Sequence, residues 1–374
     1  MRIALVRQRY SAYGGAERFT ERALRALAKH DVEVTVLARE WIGDPAGVVR
    51  CDPFHVGRLW RDWSFARAAC REIARRPFDF VQSHERIACC DIYRAGDGVH
   101  AQWLRNRSAA LGPLARLGVA LNPYHRYVLA AERRLFASPR LRAVICNSRM
   151  VREEVRRHFG TPEEKLHVIY NGIDLEAFNP RLREAHRAAQ RRRLGIPEEA
   201  FVFLHVGAGF ERKGVLRLIE AFALSGRRDA HVVVVGGDKL QERAERLAAA
   251  LGVASRVHFA GTQADVRPWY GAADAFALAT LYDPFPNAAL EAMACGLPVI
   301  TTAQCGTAEL IDEGVSGFVV DALAARDLAD RLARLDGQRA REMGRRARER
   351  AQELGVDAMA ERFLALYRGL APRL

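Results

Sequence analysis

Asp283 and Glu291 stand eight residues apart in the stretch DPFPNAALEAMACGLPVITT, one before a turn and one inside a predicted helix. The prolines after Asp283 cannot lie inside a helix, and Asn287 is expected to cap the helix that follows. The unpaired N–H groups of that helix start, around Asn287 and Ala288, favour a bound phosphate. With a carboxylate on each side to accept from hydroxyls, the stretch indicates a nucleotide-sugar site. A capped helix with two solvated acids explains this stretch alone equally well.

Two cations follow another predicted strand, in the stretch HVGAGFERKGV. In open α/β folds ligands bind beyond the carboxyl ends of the strands, where Arg212 and Lys213 would lie. The chain has four Lys in all, so a Lys beside an Arg at this place stands out. An Arg fork and a Lys point charge together suit a leaving diphosphate without any metal ion. The alternative is a helix-start loop with two solvated cations.

Glycines and polar residues at other predicted strand ends extend this candidate site. Gly207 lies in the stretch HVGAGFERKGV, and the stretches VVVVGGDK and HFAGTQADV, the second of which contains Thr262, would form walls for a nucleobase and ribose. Gly14 and Gly15, in YGGAERF, precede the first predicted helix and would let the backbone approach a phosphate or sugar oxygen. This turn lacks the dinucleotide fingerprint GxGxxG. A lone Gly-Gly pair before a helix is more often a tight turn than a site.

The stretch AGDGVHAQW follows a further predicted strand, so it is expected to face the ligand side of its sheet. Asp97 or His100 would contact a donor sugar or an acceptor there. A His with apolar neighbours is more often structural, and both interpretations of His100 remain open.

Strand and helix patterns alternate along the chain, which predicts parallel sheets in α/β layers. With 374 residues the chain exceeds the ~250–300 at which one core usually divides. A stretch rich in Asn, Gly and Pro at 170–180 resembles a linker. The predicted domains are 1–175 and 176–354, with a C-terminal helix over 355–374 that packs back on the first, and a ligand cleft between the two halves. Predicted strands are 3–6, 32–37, 80–82, 92–94, 143–146, 201–206, 231–235, 257–260, 275–278, 299–302 and 317–319, and predicted helices include 16–29, 62–76 and 149–158.

Composition narrows the class of protein. The apolar content of 49% is that of an ordinary globular chain, and no window approaches ~18 uncharged apolar residues. The N-terminal apolar run is too short for a signal peptide and is expected to form a strand. The seven cysteines are odd in number and form no CxxC pair, which predicts reduced, mostly buried thiols in a cytoplasmic protein without zinc or iron–sulfur ligation. The net charge of +13 is spread over Arg-rich helix faces, and without a nucleic-acid motif it does not indicate nucleic-acid binding.

Taken together, YGGAE, GFERKG and the D-x7-E pattern before AMACGLPVITT resemble the retaining glycosyltransferases of family 4. The resemblance covers essentially the whole chain, and its second half is the more specific part. Within the family the phrasing FERKGVLRLIEAFA and CGTAELI is most similar to the lipopolysaccharide-core glucosyltransferases, which add a sugar to an inner-core heptose. The resemblance implies a GT-B fold, in which two Rossmann-like domains face each other across a cleft.

The resemblance also implies roles for particular residues. Arg212 and Lys213, with the backbone at 14–15, would hold the diphosphate of a nucleotide-sugar donor, UDP-sugar being favoured, and Glu291 would accept from the ribose hydroxyls. Asp283 would contact hydroxyls of the transferred sugar; the family usually has Glu at this position, so the identity of that sugar stays open. The reaction implied is front-face displacement with retention, in which the diphosphate assists deprotonation of the acceptor. No metal and no further cofactor is implied.

The segment 101–131 contains four Arg and no acid, together with aromatic side chains and a leucine stripe. Such a composition suits a helix in a membrane interface, although a helix packed on its own domain with a basic rim is the alternative. Because enzymes of this family act on lipid-linked glycan acceptors, the resemblance favours peripheral binding to the anionic inner-membrane surface from the cytoplasm. The residues concerned are Arg105, Arg107, Arg116, Arg126, Trp103, Tyr124, Tyr127, Leu111, Leu114, Leu117 and Leu121.

Other functions stay open at this point. A glycosyltransferase for another lipid-linked or exopolysaccharide acceptor fits the same residues. A nicotinamide-dependent oxidoreductase would need the missing glycine fingerprint, and a non-catalytic sugar-binding protein would not need every one of Asp283, Glu291, Arg212 and Lys213.

Overall fold

The computed structural model describes residues 1–10, 33–41 and 47–370. The contacts divide the chain into two units, Met1–Gly172 with Val356–Leu374, and Ile173–Gly355. Each unit contains a parallel sheet with helices, so the predicted α/β class is confirmed. The predicted helix over 16–29 lies outside the described residues.

The first unit is built on a sheet of seven strands among its described residues, in the order β5-β3-β1-β6-β7-β8-β9. Every pairing in it is parallel, and β2 and β4 form a separate parallel pair. The strands are β1 Arg2–Val6, β2 Arg9–Tyr10, β3 Glu33–Ala38, β4 Glu40–Trp41, β5 Val48–Arg50, β6 Phe80–Ser83, β7 Ile92–Arg94, β8 Ala143–Cys146 and β9 Leu166–Val168. The helices are α1 Gly57–Arg75, α2 His100–Ala109, α3 Pro113–Leu121, α4 Pro123–Phe136 and α5 Arg149–Phe159, with a short 3₁₀ helix Glu163–Lys165.

The C-terminal helix, α14 Val356–Leu370, belongs to the core of the first unit. Its apolar side chains Met359 and Phe363 are buried in one cluster with Ile3 and Ile92. Its Tyr367 hydroxyl donates to Gln82 Oε1 over 2.6 Å. The central strands of a parallel sheet are buried on both faces, and this helix covers one face of the sheet.

A disulfide joins Cys70 and Cys89, which corrects the prediction that all the thiols are reduced. The other five cysteines are free and buried. The odd count and the absence of CxxC could not show this pair, because the fold brings two residues 19 apart in sequence to a Cα–Cα distance of 5.9 Å. Cysteine usage therefore no longer supports a cytoplasmic location.

The second unit is built on six parallel strands in the order β12-β11-β10-β13-β14-β15. They are β10 Phe201–Val206, β11 Ala230–Val235, β12 Val257–Gly261, β13 Ala275–Leu278, β14 Val299–Thr302 and β15 Gly317–Val320. The helices are α6 Arg181–Leu194, α7 Phe210–Lys213, α8 Val215–Leu224, α9 Gln241–Ala250, α10 Arg267–Ala272, α11 Asn287–Ala294, α12 Ala325–Ala333 and α13 Gly337–Gln352, with 3₁₀ helices Ala254–Arg256 and Gly306–Leu310.

The strand order of the second unit reverses direction beside β10. The chain runs from β10 outward to β12, then returns to place β13 on the other side of β10 and continues outward to β15. In open α/β sheets the crevice beyond the carboxyl ends of the strands at such a switch point is where ligands bind. The loops after β10 and β13 therefore meet at the place where a site is expected.

The prediction of the strands was incomplete. The edge strands β5 and β9 were not predicted, because runs of three residues carry too little pattern to be recognised in sequence. Among the described residues, no helix is long and apolar enough to cross a membrane.

Candidate active site

The loops at the switch point bring Arg212, Lys213 and Asp283 together. Lys213 Nζ lies 3.1 Å from Asp283 Oδ2 and Arg212 Nη1 lies 3.3 Å from the same oxygen. The carboxylate is nearly buried, whereas 38% of the Arg212 side chain is exposed. Burial alone would raise the pKa of Asp283, but Lys213 and Arg212 outweigh it and the pKa lies below its usual range. The site thus presents an ionised carboxylate between two cations.

Two glycines allow this close approach. Gly207 has φ +148°, and a Cβ there would lie 2.7 Å from Lys213 Cε, so only Gly lets the lysine side chain lie across the end of β10. Gly214 has φ +72°, and a Cβ there would lie 1.8 Å from the backbone oxygen of Ala279. Sequence reasoning singled out Gly207 but missed Gly214.

Hydrogen bonds tie the two loops to each other. The carbonyl of Arg212 accepts from the Thr280 hydroxyl over 2.8 Å and from the backbone N–H of Leu281 over 2.8 Å. Thr302, at the end of β14, donates to the carbonyl of Thr280 over 2.7 Å. Because each of these groups is satisfied within the protein, the positions of the cations and of Asp283 are set by the backbone of three neighbouring strands.

Asp238 is a further organising residue that sequence reasoning did not name. It follows β11 and accepts through Oδ2 from the backbone N–H groups of Gly209 and Phe210 over 3.0 and 3.2 Å. Its Oδ1 accepts from the backbone of Leu240. The carboxylate therefore orders the loop that leads into α7. The available signal was the GGD sequence at the end of a strand.

The helix carrying Glu291 begins one residue earlier than expected. Asn287 is the first residue of α11, Pro286 occupies the cap position, and no side chain caps the helix, so the predicted Asn287 cap is wrong. Pro286 presets the backbone angle from which the helix starts, but it has no side-chain oxygen that could accept from the first N–H groups. The helix α11 ends at Ala294, and Gly296 follows with φ +76°.

Glu291 is 6% exposed and accepts from the Tyr270 hydroxyl over 2.8 Å. The same hydroxyl lies 3.2 Å from the carbonyl of Ala288, at the start of the helix. Tyr270 thus links α10 to the carboxylate and to the first turn of α11. Its own position was not predicted from the sequence.

The ends of β11 and β12 also lie together. Thr262 is exposed directly after β12, and a Cβ on Gly237 would lie 2.8 Å from Thr262 Oγ1. The lack of a side chain at Gly237 therefore leaves room at this part of the sheet edge.

Family models match both halves of the chain. The model described as "Glycosyltransferase Family 4" covers residues 13–177 and that described as "Glycosyl transferases group 1" covers 186–353. A D-inositol 3-phosphate glycosyltransferase of Xylanimonas cellulosilytica is 32% identical over 95% of this chain and 91% of its own. The chain is a family 4 glycosyltransferase.

This glycosyltransferase is also similar to the lipopolysaccharide glucosyltransferase WaaG of Escherichia coli, with 29% identity over 86% of this chain and 85% of that protein. A crystal structure of WaaG, described as a glycosyltransferase involved in lipopolysaccharide biosynthesis, matches with a TM-score of 0.83. That match has 26% identity and covers 98% of this chain and all of the other. The GT-B fold class is thereby confirmed, and family membership leaves the oxidoreductase alternative without support.

The sequence also predicted site residues in the first unit. Gly14 and Gly15 fall outside the described residues. Asp97 is exposed in the turn after β7. His100 begins α2, where its backbone N–H donates to Glu132 Oε1 over 2.8 Å and its Nε2 lies 3.1 Å from His125 Nδ1. Burial, together with Arg86 and His125, lowers the pKa of His100 to about 3, so this imidazole is neutral at pH 7.

A second histidine that sequence reasoning missed lies within β10. His205 is fully buried, with Nδ1 3.2 Å from the carbonyl of Ala277, and Nε2 has no hydrogen-bond partner among the described residues. Burial and the nearby Lys213 lower the pKa of His205 to about 3. A neutral imidazole therefore supports the strand end beside the cationic pair without adding charge to it.

The described residues contain no group of three or more His, Cys, Asp and Glu side chains that could hold a metal ion. The metal-free chemistry expected from the sequence stays a prediction.

Proposed function

We propose that the protein transfers a hexose from a nucleotide-diphosphate sugar, with UDP-sugar favoured, to a glycan acceptor with retention at the anomeric carbon. The observation that carries the proposal is the arrangement of Arg212, Lys213 and Asp283 at the switch point of the second sheet. Two cations converge there on one carboxylate oxygen, and a diphosphate offers them several oxygens in its place.

The donor would be held along the carboxyl edge of this sheet. Arg212 and Lys213 would bind the diphosphate and stabilise the charge that develops as it leaves. The start of α11, at Asn287 and Ala288, would favour phosphate oxygens through the positive end of the helix dipole. Glu291, oriented by the Tyr270 hydroxyl, would accept from the ribose hydroxyls.

The remaining donor contacts follow from the strand ends. Gly207 and Thr262 would border the nucleotide, and the backbone at 14–15 would contribute to the diphosphate site. Asp283 would accept from hydroxyls of the transferred sugar, which its lowered pKa favours because the group remains an ionised acceptor.

Retention would arise by front-face displacement, with the departing diphosphate assisting deprotonation of the acceptor hydroxyl. A double displacement would need a protein nucleophile opposite an acid, as in retaining glycosidases with carboxyls ~5–5.5 Å apart. Asp283 is committed to two cations, which lowers its nucleophilicity. Asp97 or His100 would contact the sugar or the acceptor; a neutral His100 would do so as a hydrogen-bonding group.

For the acceptor we favour a lipid-linked glycan of the lipopolysaccharide inner core, because of the similarity to WaaG over most of both chains. A second candidate is an inositol phosphate, which the name of the Xylanimonas relative supports. Transfer assays with an inner-core saccharide and with inositol 3-phosphate separate the two, since each candidate predicts product with one acceptor and none with the other.

Peripheral membrane binding from the cytoplasmic side is part of the proposal. Helix α3 is apolar and almost wholly exposed, with Leu114, Leu117 and Leu121 at 87%, 56% and 64%. It contains no acid, and Arg116 lies on it. An exposed apolar helix with basic neighbours is the composition that binds an anionic membrane interface.

Exposed aromatic residues that the sequence analysis did not include support the same surface. Phe54 and Trp60 stack edge to face at 5.4 Å, and both are exposed, as is Trp63. The start of α1 connects to α4, because the Tyr124 hydroxyl donates to Asp62 over 2.9 Å. Trp is favoured at membrane–water interfaces, so α1 and α3 would both contact the headgroup region.

A thermal-shift screen with UDP-, GDP- and ADP-sugars tests the donor proposal. A ligand at 100 times its dissociation constant stabilises the fold by about 2.7 kcal/mol, which is readily seen as a rise in melting temperature. The rise should occur with one nucleotide and disappear in Lys213→Ala. A rise that persists in that variant would refute the assignment of the diphosphate to this site.

A further inference from the structure

A cavity lies at the edge of the sheet opposite to the one that carries the candidate active site. It has a volume of about 330 Å³, and its wall includes Ala273 and Asp274, just before β13, and Leu297, just before β14. The candidate donor residues follow the other ends of the same strands. A four-residue strand spans about 13 Å, so the cavity and the donor site are distinct places.

The wall of this cavity is strongly basic. It includes four arginines and one carboxylate, that of Asp274. This carboxylate already pairs with Arg183 at 3.0 Å and, outside the cavity wall, with two further arginines of α6. The acid is therefore more than neutralised before the other cavity arginines are considered. The four arginines are Arg183, Arg341, Arg345 and Arg348.

The three arginines contributed by α13 have little compensating charge. Arg341 makes no ion pair with any described residue, and Arg345 has only an exposed contact of 3.6 Å with Glu349. Arg348 donates to the carbonyls of Phe178 and Ala294 rather than to a carboxylate. Burial lowers the pKa of Arg348. A cavity wall with four arginines, in which the one carboxylate is already paired, favours an anion.

The rest of the wall is apolar. Pro180, Leu182, Leu297 and Ala340 contribute to it, and Tyr270 adds a ring. Ligand sites commonly combine such a wall with a few charged groups, and begin at about 300 Å³. We propose that this cavity binds a small organic phosphate, with the phosphate on the α13 guanidinium groups and the organic part on the apolar wall.

Two contacts connect the cavity with the candidate donor site. Tyr270 lines the cavity and donates to Glu291 over 2.8 Å. Arg348 donates over 2.7 Å to the carbonyl of Ala294, the last residue of the helix that carries Glu291. A ligand that shifts either contact changes the position of this carboxylate, so the cavity is an effector site for donor binding. This effector role rests on the proposed function of Glu291, whereas the binding site does not.

Calorimetric titration of the full-length protein with phenyl phosphate tests the site, and inorganic phosphate shows whether the organic part contributes. Arg341→Gln with Arg345→Gln should weaken phenyl phosphate binding at least tenfold, because each lost hydrogen bond to a charged group costs about tenfold or more. The matched control is Arg346→Gln with Arg350→Gln, which has the same spacing on the same helix but lies outside the cavity wall. Phenyl phosphate should bind more tightly than inorganic phosphate.

Wild-type affinity in the double variant, or equal losses in both double variants, would overturn the site. Equal binding of phenyl and inorganic phosphate would overturn the assignment of an organic ligand. Lys213→Ala separates this proposal from the proposed function, since it should weaken UDP binding and leave phenyl phosphate binding at the cavity intact. For the effector role, saturating phenyl phosphate should change the dissociation constant of UDP by about fivefold or more in the wild type and not in Arg341→Gln with Arg345→Gln. An unchanged constant in the wild type would overturn that role.

Discussion

Replacing Lys213 by Ala tests the central feature of the candidate active site. Its ammonium lies 3.1 Å from Asp283 Oδ2, and only 12% of the side chain is exposed, so the charge acts in a partly dehydrated place. A charge on a leaving diphosphate about 4 Å from this ammonium would interact with it by about 4 kcal/mol near a protein surface. Loss of one charge-stabilising group of this kind reduces turnover by about 10²–10³. We expect a fall in kcat of that size in Lys213→Ala.

The fold should tolerate the change. Arg212 remains 3.3 Å from Asp283, so the carboxylate keeps a cationic partner. The variant should therefore melt close to the wild type while losing turnover.

The assay is initial-rate transfer with the donor at saturation, so that weaker donor binding does not disguise an effect on turnover. Lys239→Ala is the matched control, because Lys239 is exposed and follows the neighbouring strand β11. Near-normal kcat in Lys213→Ala would show that this lysine is an ordinary surface charge, and the diphosphate assignment would fail.

Four further predictions follow from the structure. Activity should survive EDTA, since the cationic pair supplies the charge that a metal would supply; loss on chelation with recovery only on adding a divalent ion would contradict this. Removing the disulfide as Cys70→Ser with Cys89→Ser should lower the free energy of unfolding by about 3 kcal/mol, because the closed loop no longer restricts the unfolded chain. The difference between wild type and variant should vanish when both are measured in reductant. If it persists there, the loss of stability arises from the packing of the replaced side chains and not from the disulfide. Because the pKa of Asp283 is lowered in the folded state, its ionisation stabilises the fold above the unfolded pKa of about 3.9, and this contribution is lost as pH falls through the lower folded value. In Asp283→Asn the free energy of unfolding should therefore fall less steeply as the pH is lowered. An unchanged decrease at low pH would contradict the ion pair. Replacing the basic side chains of the α2–α4 segment by Gln should weaken binding to anionic vesicles, because each arginine contributes about 1 kcal/mol, and should leave transfer to a soluble acceptor intact. Unchanged vesicle binding together with lost transfer would show that the segment forms a wall of the acceptor site. The residues replaced together are Arg105, Arg107, Arg116 and Arg126.

Much of the second unit could be predicted from the sequence because its signals are local. The predicted strands at 201–206, 275–278 and 299–302 match β10, β13 and β14 residue for residue. Buried strands of a parallel sheet are short apolar runs bounded by Gly and polar residues, and this pattern survives without knowledge of the partners. Arg212 and Lys213 could be placed at a strand end for the same reason.

Features that depend on a single backbone turn were less secure. Asn287 has the residue type of a cap, yet the structure begins α11 with Asn287 itself after Pro286. A preference for certain residues at a cap does not decide between neighbouring positions when a proline already fixes the entry to the helix.

Only the tertiary structure decided which residues meet. Asp283 lies 70 residues from Lys213 in sequence, and the return of the chain to the other side of β10 brings them together. The Cys70–Cys89 disulfide, the support of Glu291 by Tyr270 and the basic cavity beside α13 arise in the same way. The sequence by itself determined the α/β class, the strand ends and the kinds of group that stand there, because these follow from periodicity and local backbone preference. Contacts between distant segments depend instead on strand order and register. These are set by the burial of side chains over the whole sheet, so no single residue indicates them.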